Sequence, residues 1–273
     1  MTPKPHPSAS ATADYYNQRS VSKFYESCWG GSDIHIGLYK TGEETIAKAS
    51  AAMTQHLLDC CGVQPGQRVL DIACGFGGTL RALARIGTRP TGIDISKVCV
   101  DRAREANAAA GLSDAIDVAV GDFHAIESGD RTWDAVICQE ALIHSPDRPA
   151  VFGEVFRILR RGGKFAISDI LTAEGADISM VERAFARLGA AAGATVHDYL
   201  NMARGAGFDI VHVERRPNDI KTHYAKLAER LGEPIADIDS ESTLSISRSI
   251  AHWQAALAGR HITWACFILR KPD

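Results

Sequence analysis

The sequence has no long hydrophobic run and no marked excess of charge of either sign. No stretch approaches the ~18 uninterrupted apolar residues that a membrane helix needs, and the N-terminal residues lack the apolar centre of a signal peptide. The formal net charge is -3, and basic residues are scattered along the chain. These absences argue against membrane and nucleic-acid partners and predict a cytoplasmic protein.

Cysteine is sparse and shows no pattern. The 7 cysteines are odd in number and have no C-x-x-C spacing, which disfavours both a disulfide framework and a zinc site. We therefore expect small buried cysteines and no metal centre.

A glycine turn between two predicted strands is the most informative motif. Residues 69–72 predict a buried parallel strand, Gly75 and Gly77 a turn that a ligand can approach, and residues 79–86 the following helix. Asp94 then ends a second predicted strand, at the position where a carboxylate accepts hydrogen bonds from both ribose hydroxyls of a nucleotide. The pattern predicts a nucleoside-binding site.

Two departures from the dinucleotide fingerprint indicate which nucleoside binds. Leu80 stands where the third glycine of G-x-G-x-x-G is expected, which disfavours a pyrophosphate and hence a nicotinamide oxidoreductase. Asp71 precedes the turn and would repel a phosphate, but it can act through water or the backbone on the ammonium of a methionine group. S-adenosylmethionine is therefore the predicted cofactor.

Further motifs fall at the ends of the next predicted strands. Asp122 and Phe123 follow the third strand, where the Asp122 carboxylate can accept from the adenine amino group and the Phe123 amide can reach a ring nitrogen. Residues 133–138 form a fourth strand that runs into residues 139–146, and a helix-ending turn at 160–163 leads into a fifth strand. We expect these motifs to meet at one edge of the sheet.

The chain divides by composition into five segments, and its length suffices for one domain with insertions. We predict a flexible tail (1–13), an aromatic and helical lid segment (14–64), the cofactor-binding core (65–215), a helical cap insertion (216–260) and a last strand (261–273). The insertion is either a lid over the sheet or a dimerisation element, and the oligomeric state stays open. A methyl donor that must be screened from water favours the lid.

These motifs resemble class I S-adenosylmethionine-dependent methyltransferases over about residues 65–270. Within that class the chain looks most like the sarcosine/dimethylglycine N-methyltransferases of glycine betaine synthesis. The closer resemblance is carried by Tyr15-Tyr16, Phe24-Tyr25, the block from Trp29 to Tyr39, Leu142 to Asp147, His223-Tyr224, His252-Trp253 and Thr263-Trp264.

The resemblance implies an α/β, Rossmann-like fold with a seven-stranded, mostly parallel sheet, an antiparallel last strand and a helical cap. It also implies that the chain around His35 and Ile36 closes over the methionine end of the cofactor, and that residues 139–144 border both cofactor and acceptor. The residues predicted to bind the cofactor are His35, Ile36, Asp71, Ala73, Gly75, Gly77, Asp94, Ile95, Asp122, Phe123 and Gln139.

Methyl transfer from a sulfonium is an in-line displacement, so alignment is the main catalytic lever and can supply roughly 7 to 11 kcal/mol. An N-alkyl amino acid must also lose a proton, which costs roughly 4 kcal/mol near pH 7.5. His144, just after the fourth strand, is the predicted catalytic residue, either accepting that proton or orienting the acceptor. Transfer by proximity without a general base is an open alternative.

An aromatic wall would suit a product that carries a quaternary ammonium, because each cation–π contact contributes roughly 0.5 to 2 kcal/mol. The predicted substrate-binding residues are Tyr25, Trp29, Tyr39 and Tyr224. The acceptor carboxylate is expected to meet an arginine, and Arg183, Arg187 and Arg215 are equally eligible on sequence alone.

Other functions compete with this prediction. The same cofactor site could serve a phosphoethanolamine-type amine, another amino acid or thioether, or a phenolic ring. A cofactor-binding protein without turnover is disfavoured, because the predicted acceptor region at 139–146 is followed by a complete cap.

Overall fold

The computed structural model describes residues 7–190, 192–233, 235 and 238–273. In this part of the chain seven strands form one sheet in the order β3-β2-β1-β4-β5-β7-β6, in which β7 runs antiparallel to both neighbours. The strands are β1 (Arg68–Asp71), β2 (Arg89–Asp94), β3 (Asp117–Val120), β4 (Trp133–Gln139), β5 (Leu159–Thr172), β6 (Asp209–Arg215) and β7 (Ile262–Arg270). The predicted fold class is confirmed.

Helices cover both faces of the sheet and its carboxyl edge. Local caps fix several of their ends: the Thr45 hydroxyl accepts from the Lys48 amide, and Ser96 does the same for Cys99. The helices are α1 (Pro7–Asn17), α2 (Arg19–Cys28), α3 (Ile46–Cys61), α4 (Gly78–Ile86), α5 (Lys97–Ala109), α6 (Arg148–Ile158), α7 (Ile178–Phe185), α8 (Val196–Ala206), α9 (Pro217–Leu231) and α10 (Ser240–Ala258).

The central strands form the core. Residues 135–138 of β4, 165–167 of β5 and 264–269 of β7 are buried along their length, because helices cover both faces there. Six of the seven cysteines are buried, Cys60 is half-buried, and all seven are free thiols. Within the described ranges, no helix is both long enough and apolar enough to cross a membrane. The cytoplasmic location stays a prediction.

Three elements differ from the sequence prediction. Residues 7–13 of the expected tail belong to α1, which is held down by buried Tyr15 and by Asn17; residues 1–6 lie outside the described residues. The predicted turn at 160–163 lies inside β5, where Gly162 (φ +72°) and a register shift against β4 let the strand pass. The helix predicted for 178–192 ends at Phe185 and continues as a short 3-10 turn.

The N-terminal segment and the insertion meet over the carboxyl edge of the sheet. Asp219 of α9 accepts from the Tyr39 amide at 2.6 Å, and His223 Nδ1 accepts from the Gly37 amide at 3.1 Å. On the far side of α9, the Tyr224 ring stacks on Trp253 of α10 with centroids 4.7 Å apart. These contacts make the two segments one cover.

We expect Gly37→Ala to lower the free energy of unfolding by about 1–3 kcal/mol. A Cβ at Gly37 would lie 2.4 Å from Ala49 Cβ and 2.8 Å from the Ala49 carbonyl carbon, so the cover would have to move off α3. Gly153→Ala is the matched control, because that α6 position has open space around it and should gain about 0.5–1 kcal/mol. Denaturant unfolding of both variants measures the difference. Equal stabilities would contradict the close packing of Gly37.

Candidate active site

Three adjoining cavities lie at the carboxyl edge of the sheet in the described part of the chain. The central cavity, of about 700 Å³, is lined by Ala73, Asp94, Ile95, Asp122 and Phe123 among others. The turn cavity, of about 280 Å³, is lined by Asp33, His35, Asp71 and Cys74. The aromatic cavity, of about 480 Å³, is lined by Tyr25, Trp29, Tyr224 and Trp253. Ile34 lines all three, so they meet around its side chain.

The glycine turn holds Asp94 ready for a ligand. Gly75 and Gly77 both have left-handed backbones (φ +51° and +78°), and the Gly75 amide donates to one Asp94 oxygen at 2.9 Å. The Ser96 amide donates to the other oxygen at 2.8 Å. Burial raises the pKa of Asp94 to about 6. Each oxygen keeps a lone pair for a further donor, as paired ribose hydroxyls require.

The turn cavity is built from a buried ion pair and a second carboxylate. His35 Nε2 lies 3.4 Å from Asp33, and although burial alone would lower the pKa of His35, Asp33 and Glu140 raise it to about 9. Burial raises the pKa of Asp71 to about 7. Gly78 allows the approach of Asp33, because a Cβ there would lie 1.8 Å from an Asp33 oxygen. The carboxylates suit a ligand that carries an ammonium and a sulfonium.

Glu140 is a site residue that the sequence analysis did not single out. It follows β4 with a left-handed backbone (φ +50°) and lines both the central and the aromatic cavity. Its carboxylate accepts from the Ile36 amide at 2.6 Å, the Ser168 hydroxyl at 2.6 Å and Trp264 Nε1 at 2.9 Å. Burial raises the pKa of Glu140. A charged residue at the carboxyl end of an apolar strand was the only signal for it in the sequence.

His144 stands at the junction of the central and aromatic cavities. Its Nε2 lies 3.1 Å from the hydroxyl of Tyr16, and both side chains line both cavities. Burial, with the Arg148 guanidinium nearby, lowers the pKa of His144 to about 4. The imidazole is therefore neutral at physiological pH. Tyr16, which comes from α1, was not among the predicted site residues.

The aromatic cavity contains three of the four predicted substrate residues. Tyr25, Trp29 and Tyr224 line it, whereas Tyr39 lines none of the three cavities, because its hydroxyl lies against His223 Nδ1 at 3.1 Å. Arg187 joins the wall from the 3-10 turn after α7. Its guanidinium carbon lies 5.4 Å from the ring centroid of Tyr15 and 5.3 Å from that of Phe24.

The predicted cofactor residues fall into three groups. Ile36 lines the aromatic cavity, while Gly75 and Gly77 shape the turn without lining a cavity. Gln139 lines both the central and the turn cavity, and it donates to the Thr79 hydroxyl at 2.9 Å while its Oε1 has no protein partner among the described residues. The others line the central cavity, the turn cavity or, for Ala73, both: His35, Asp71, Ala73, Asp94, Ile95, Asp122 and Phe123.

This strand order, with a glycine turn and Asp94 at the carboxyl edge, defines an S-adenosylmethionine-dependent class I methyltransferase. A family model described as a methyltransferase domain matches residues 69–163. Phosphoethanolamine N-methyltransferase 2 of Haemonchus contortus, solved with S-adenosyl-L-methionine, shares the fold with a TM-score of 0.82 at 20% identity, covering 96% of this chain and 60% of that one. S-adenosylmethionine is the cofactor.

Full-length relatives narrow the class. The chain is 34% identical to dimethylglycine N-methyltransferase of Parasynechococcus marenigrum, covering 96% of each chain, and 30% identical to sarcosine/dimethylglycine N-methyltransferase of Halorhodospira halochloris, covering 94% of each. A crystal structure from Galdieria sulphuraria, of a protein proposed to be a sarcosine dimethylglycine methyltransferase, superposes with a TM-score of 0.87 at 31% identity, covering 95% of this chain and 99% of that one. The chain belongs to the family of sarcosine/dimethylglycine N-methyltransferases, which confirms the resemblance.

We expect the affinity for S-adenosylhomocysteine to fall as the pH drops below 7. Asp71, whose pKa is raised to about 7, must lose its proton to face the ligand's ammonium, so each pH unit below that value costs up to about tenfold in affinity. Titration calorimetry between pH 7.5 and 5.5 measures the effect. Asp71→Asn should bind more weakly at pH 7.5 and keep only the dependence below pH 6 that Asp94 supplies. A flat wild-type profile would contradict an ionisable Asp71 at the ammonium.

Proposed function

We propose that this protein methylates the amines of sarcosine and dimethylglycine, producing glycine betaine. The observation that carries the proposal is the aromatic cavity, which adjoins the cofactor cavity and combines three aromatic rings with one arginine. The amine lone pair forms a bond to the methyl carbon, the carbon–sulfur bond breaks, and its electron pair stays on sulfur as S-adenosylhomocysteine. The ammonium form of the acceptor releases its proton to solvent before each transfer.

Arg187 is proposed to hold the carboxylate of the acceptor. Its guanidinium lines the cavity, and its Nε is buried without a hydrogen-bond partner among the described residues. The other two eligible arginines are already engaged elsewhere: Arg183 donates to Ser179 of its own helix, and Arg215 pairs with Glu174. A buried unsatisfied donor costs about 1–3 kcal/mol, which an incoming carboxylate would recover.

The aromatic rings are proposed to hold the methylated amine. Tyr25 and Trp29 have ring centroids 5.1 Å apart, and Tyr224 lies edge-on to Trp29 at 6.2 Å. A quaternary ammonium has no N–H groups to satisfy, so ring faces are the partners that favour it as methyl groups accumulate. The same wall suits both dimethylglycine and its product.

His144 and Tyr16 are proposed to orient the acceptor nitrogen. With a pKa lowered to about 4, His144 is too weak a base to keep the proton of an ammonium at neutral pH. The neutral imidazole and the hydroxyl instead form a hydrogen-bonded pair between donor and acceptor cavities. Alignment by this pair is therefore favoured over general-base catalysis.

The N-terminal segment and the insertion are proposed to act as a lid rather than a dimerisation element. Thr12 and Tyr16 of α1 line the central cavity, and Asn17 accepts from the Ser96 hydroxyl at 2.8 Å where the cofactor site begins. Residues 216–260 contribute Tyr224, Ile250 and Trp253 to the aromatic cavity. Both segments therefore complete the site and shield it from water.

The test of this function is an acceptor panel with labelled S-adenosylmethionine, read by mass, comprising glycine, sarcosine, dimethylglycine, phosphoethanolamine and dimethylethanolamine. We expect methylation of sarcosine and dimethylglycine. Arg187→Ala should raise the KM for dimethylglycine about tenfold or more, because a hydrogen bond to a charged group contributes about 1.5–3 kcal/mol.

Two controls make the panel specific for the carboxylate. Arg183→Ala, one helical turn away and exposed, should leave the KM unchanged. Any turnover of dimethylethanolamine, which lacks a carboxylate, should be insensitive to Arg187→Ala. Cofactor binding with no methylation of either amino acid would overturn the proposed substrates and leave the fold and cofactor standing.

Tyr16→Phe should lower kcat about tenfold while the affinity for S-adenosylhomocysteine stays within about twofold, because one orienting hydrogen bond is lost. Tyr39→Phe is the matched control, since that hydroxyl contacts His223 away from the cavities. Steady-state kinetics with dimethylglycine and binding titrations measure both quantities. Equal kcat losses in the two variants would contradict a positioning role for Tyr16.

A further inference from the structure

A fourth cavity lies on the outer side of the aromatic cavity, between the start of α2 and the start of α10. This vestibule encloses about 740 Å³, part of it open to solvent, and its wall includes Tyr15, Ser20, Arg187, Glu241, Ser242 and Ser245. Hydroxyl groups and charges of both signs distinguish it from the aromatic cavity. Such a wall matches a small zwitterion, which carries a carboxylate and an ammonium.

Arg187 connects the vestibule to the aromatic cavity. It lines both spaces, and its guanidinium packs against the rings of Tyr15 and Phe24. The Nε is buried and has no hydrogen-bond partner within the described ranges, so the group at this boundary retains a donor for an anion. A carboxylate in the vestibule would therefore meet the same guanidinium that is proposed to hold it in the site.

The opposite side of the aromatic cavity opens only toward the cofactor. Tyr16, Ile34, Glu140 and His144 line both the aromatic and the central cavity, so these two spaces share that boundary. The reactive methyl group must sit at this boundary to reach the acceptor. A bound cofactor would consequently close the central cavity as a path for the amine.

We propose that the acceptor enters and leaves through the vestibule, past Arg187, and that the cofactor uses the central cavity. The vestibule is then a transient binding site for the carboxylate of small N-methylated amino acids. This inference rests on the proposed function, since the ligand class is the same. It adds that an intermediate with one methyl group fewer than the product must pass Arg187 to escape.

The test narrows the vestibule without touching the transfer site. Ser245 is exposed on the vestibule wall, and Ser245→Trp should obstruct it. Leu244→Trp is the matched control, because the neighbouring side chain is 52% exposed and does not line the vestibule. Ser20→Trp obstructs the facing wall from α2, with Arg19→Trp as its exposed control. Equal binding of S-adenosylhomocysteine by all variants establishes that they are folded.

Two readouts with sarcosine as the starting acceptor separate obstruction from general damage. Both vestibule variants should lower kcat/KM for sarcosine about fivefold or more, because slower association becomes limiting. They should also raise the ratio of betaine to dimethylglycine at low conversion, since the intermediate escapes more slowly. A merely damaged site would not increase that ratio.

The outcomes distinguish this inference from the proposed function. Wild-type protein that fails to methylate sarcosine and dimethylglycine overturns both. Active wild-type protein, with vestibule variants indistinguishable from Leu244→Trp and Arg19→Trp in both readouts, overturns the vestibule alone. A fall in kcat/KM that comes with an unchanged product ratio also overturns it, because exit would then not depend on the vestibule.

Discussion

The carboxylate of Glu140 connects the parts of the molecule on which the site depends. It accepts from the Ile36 amide in the N-terminal segment, from Ser168 on β5 and from Trp264 on β7. A buried carboxylate with three donors is strongly position-sensitive, because losing any donor leaves charge unsatisfied in a low-dielectric region. The left-handed backbone at Glu140 is tolerated for the same reason. The cover and the sheet thus share one electrostatic anchor.

From that anchor the site divides by chemistry. Carboxylates and the His35–Asp33 ion pair surround the turn cavity, while aromatic rings and Arg187 surround the aromatic cavity. A cationic methyl donor is stabilised on the first side, and an amine that becomes a fixed cation is stabilised on the second. The Tyr16–His144 pair lies between them. Because transfer depends on alignment more than on proton chemistry, this separation is sufficient for the reaction.

Sequence reasoning was most accurate where a function depends on neighbours along the chain. The glycine turn and Asp94 belong to one strand–helix–strand unit, and residues 69–72 and 79–86 form its elements within one residue. It was least accurate where packing decides. The helical state of residues 7–13 depends on docking of α1 through Tyr15 and Asn17, which no local propensity reveals. Tyr39 is aromatic like its neighbours in sequence, yet His223 draws its hydroxyl away from the cavity.

By itself the sequence determined the fold class, the cofactor and the family, because glycine torsion requirements, strand periodicity and the carboxylate after β2 are encoded by residue type and spacing. Only the tertiary structure decided which side chains share a cavity. It separated Arg187 from Arg183 and Arg215, placed Tyr16 of α1 against His144, and made Glu140 a three-way acceptor. These pairings join residues up to 128 positions apart, and chain spacing carries no information about contacts formed by packing.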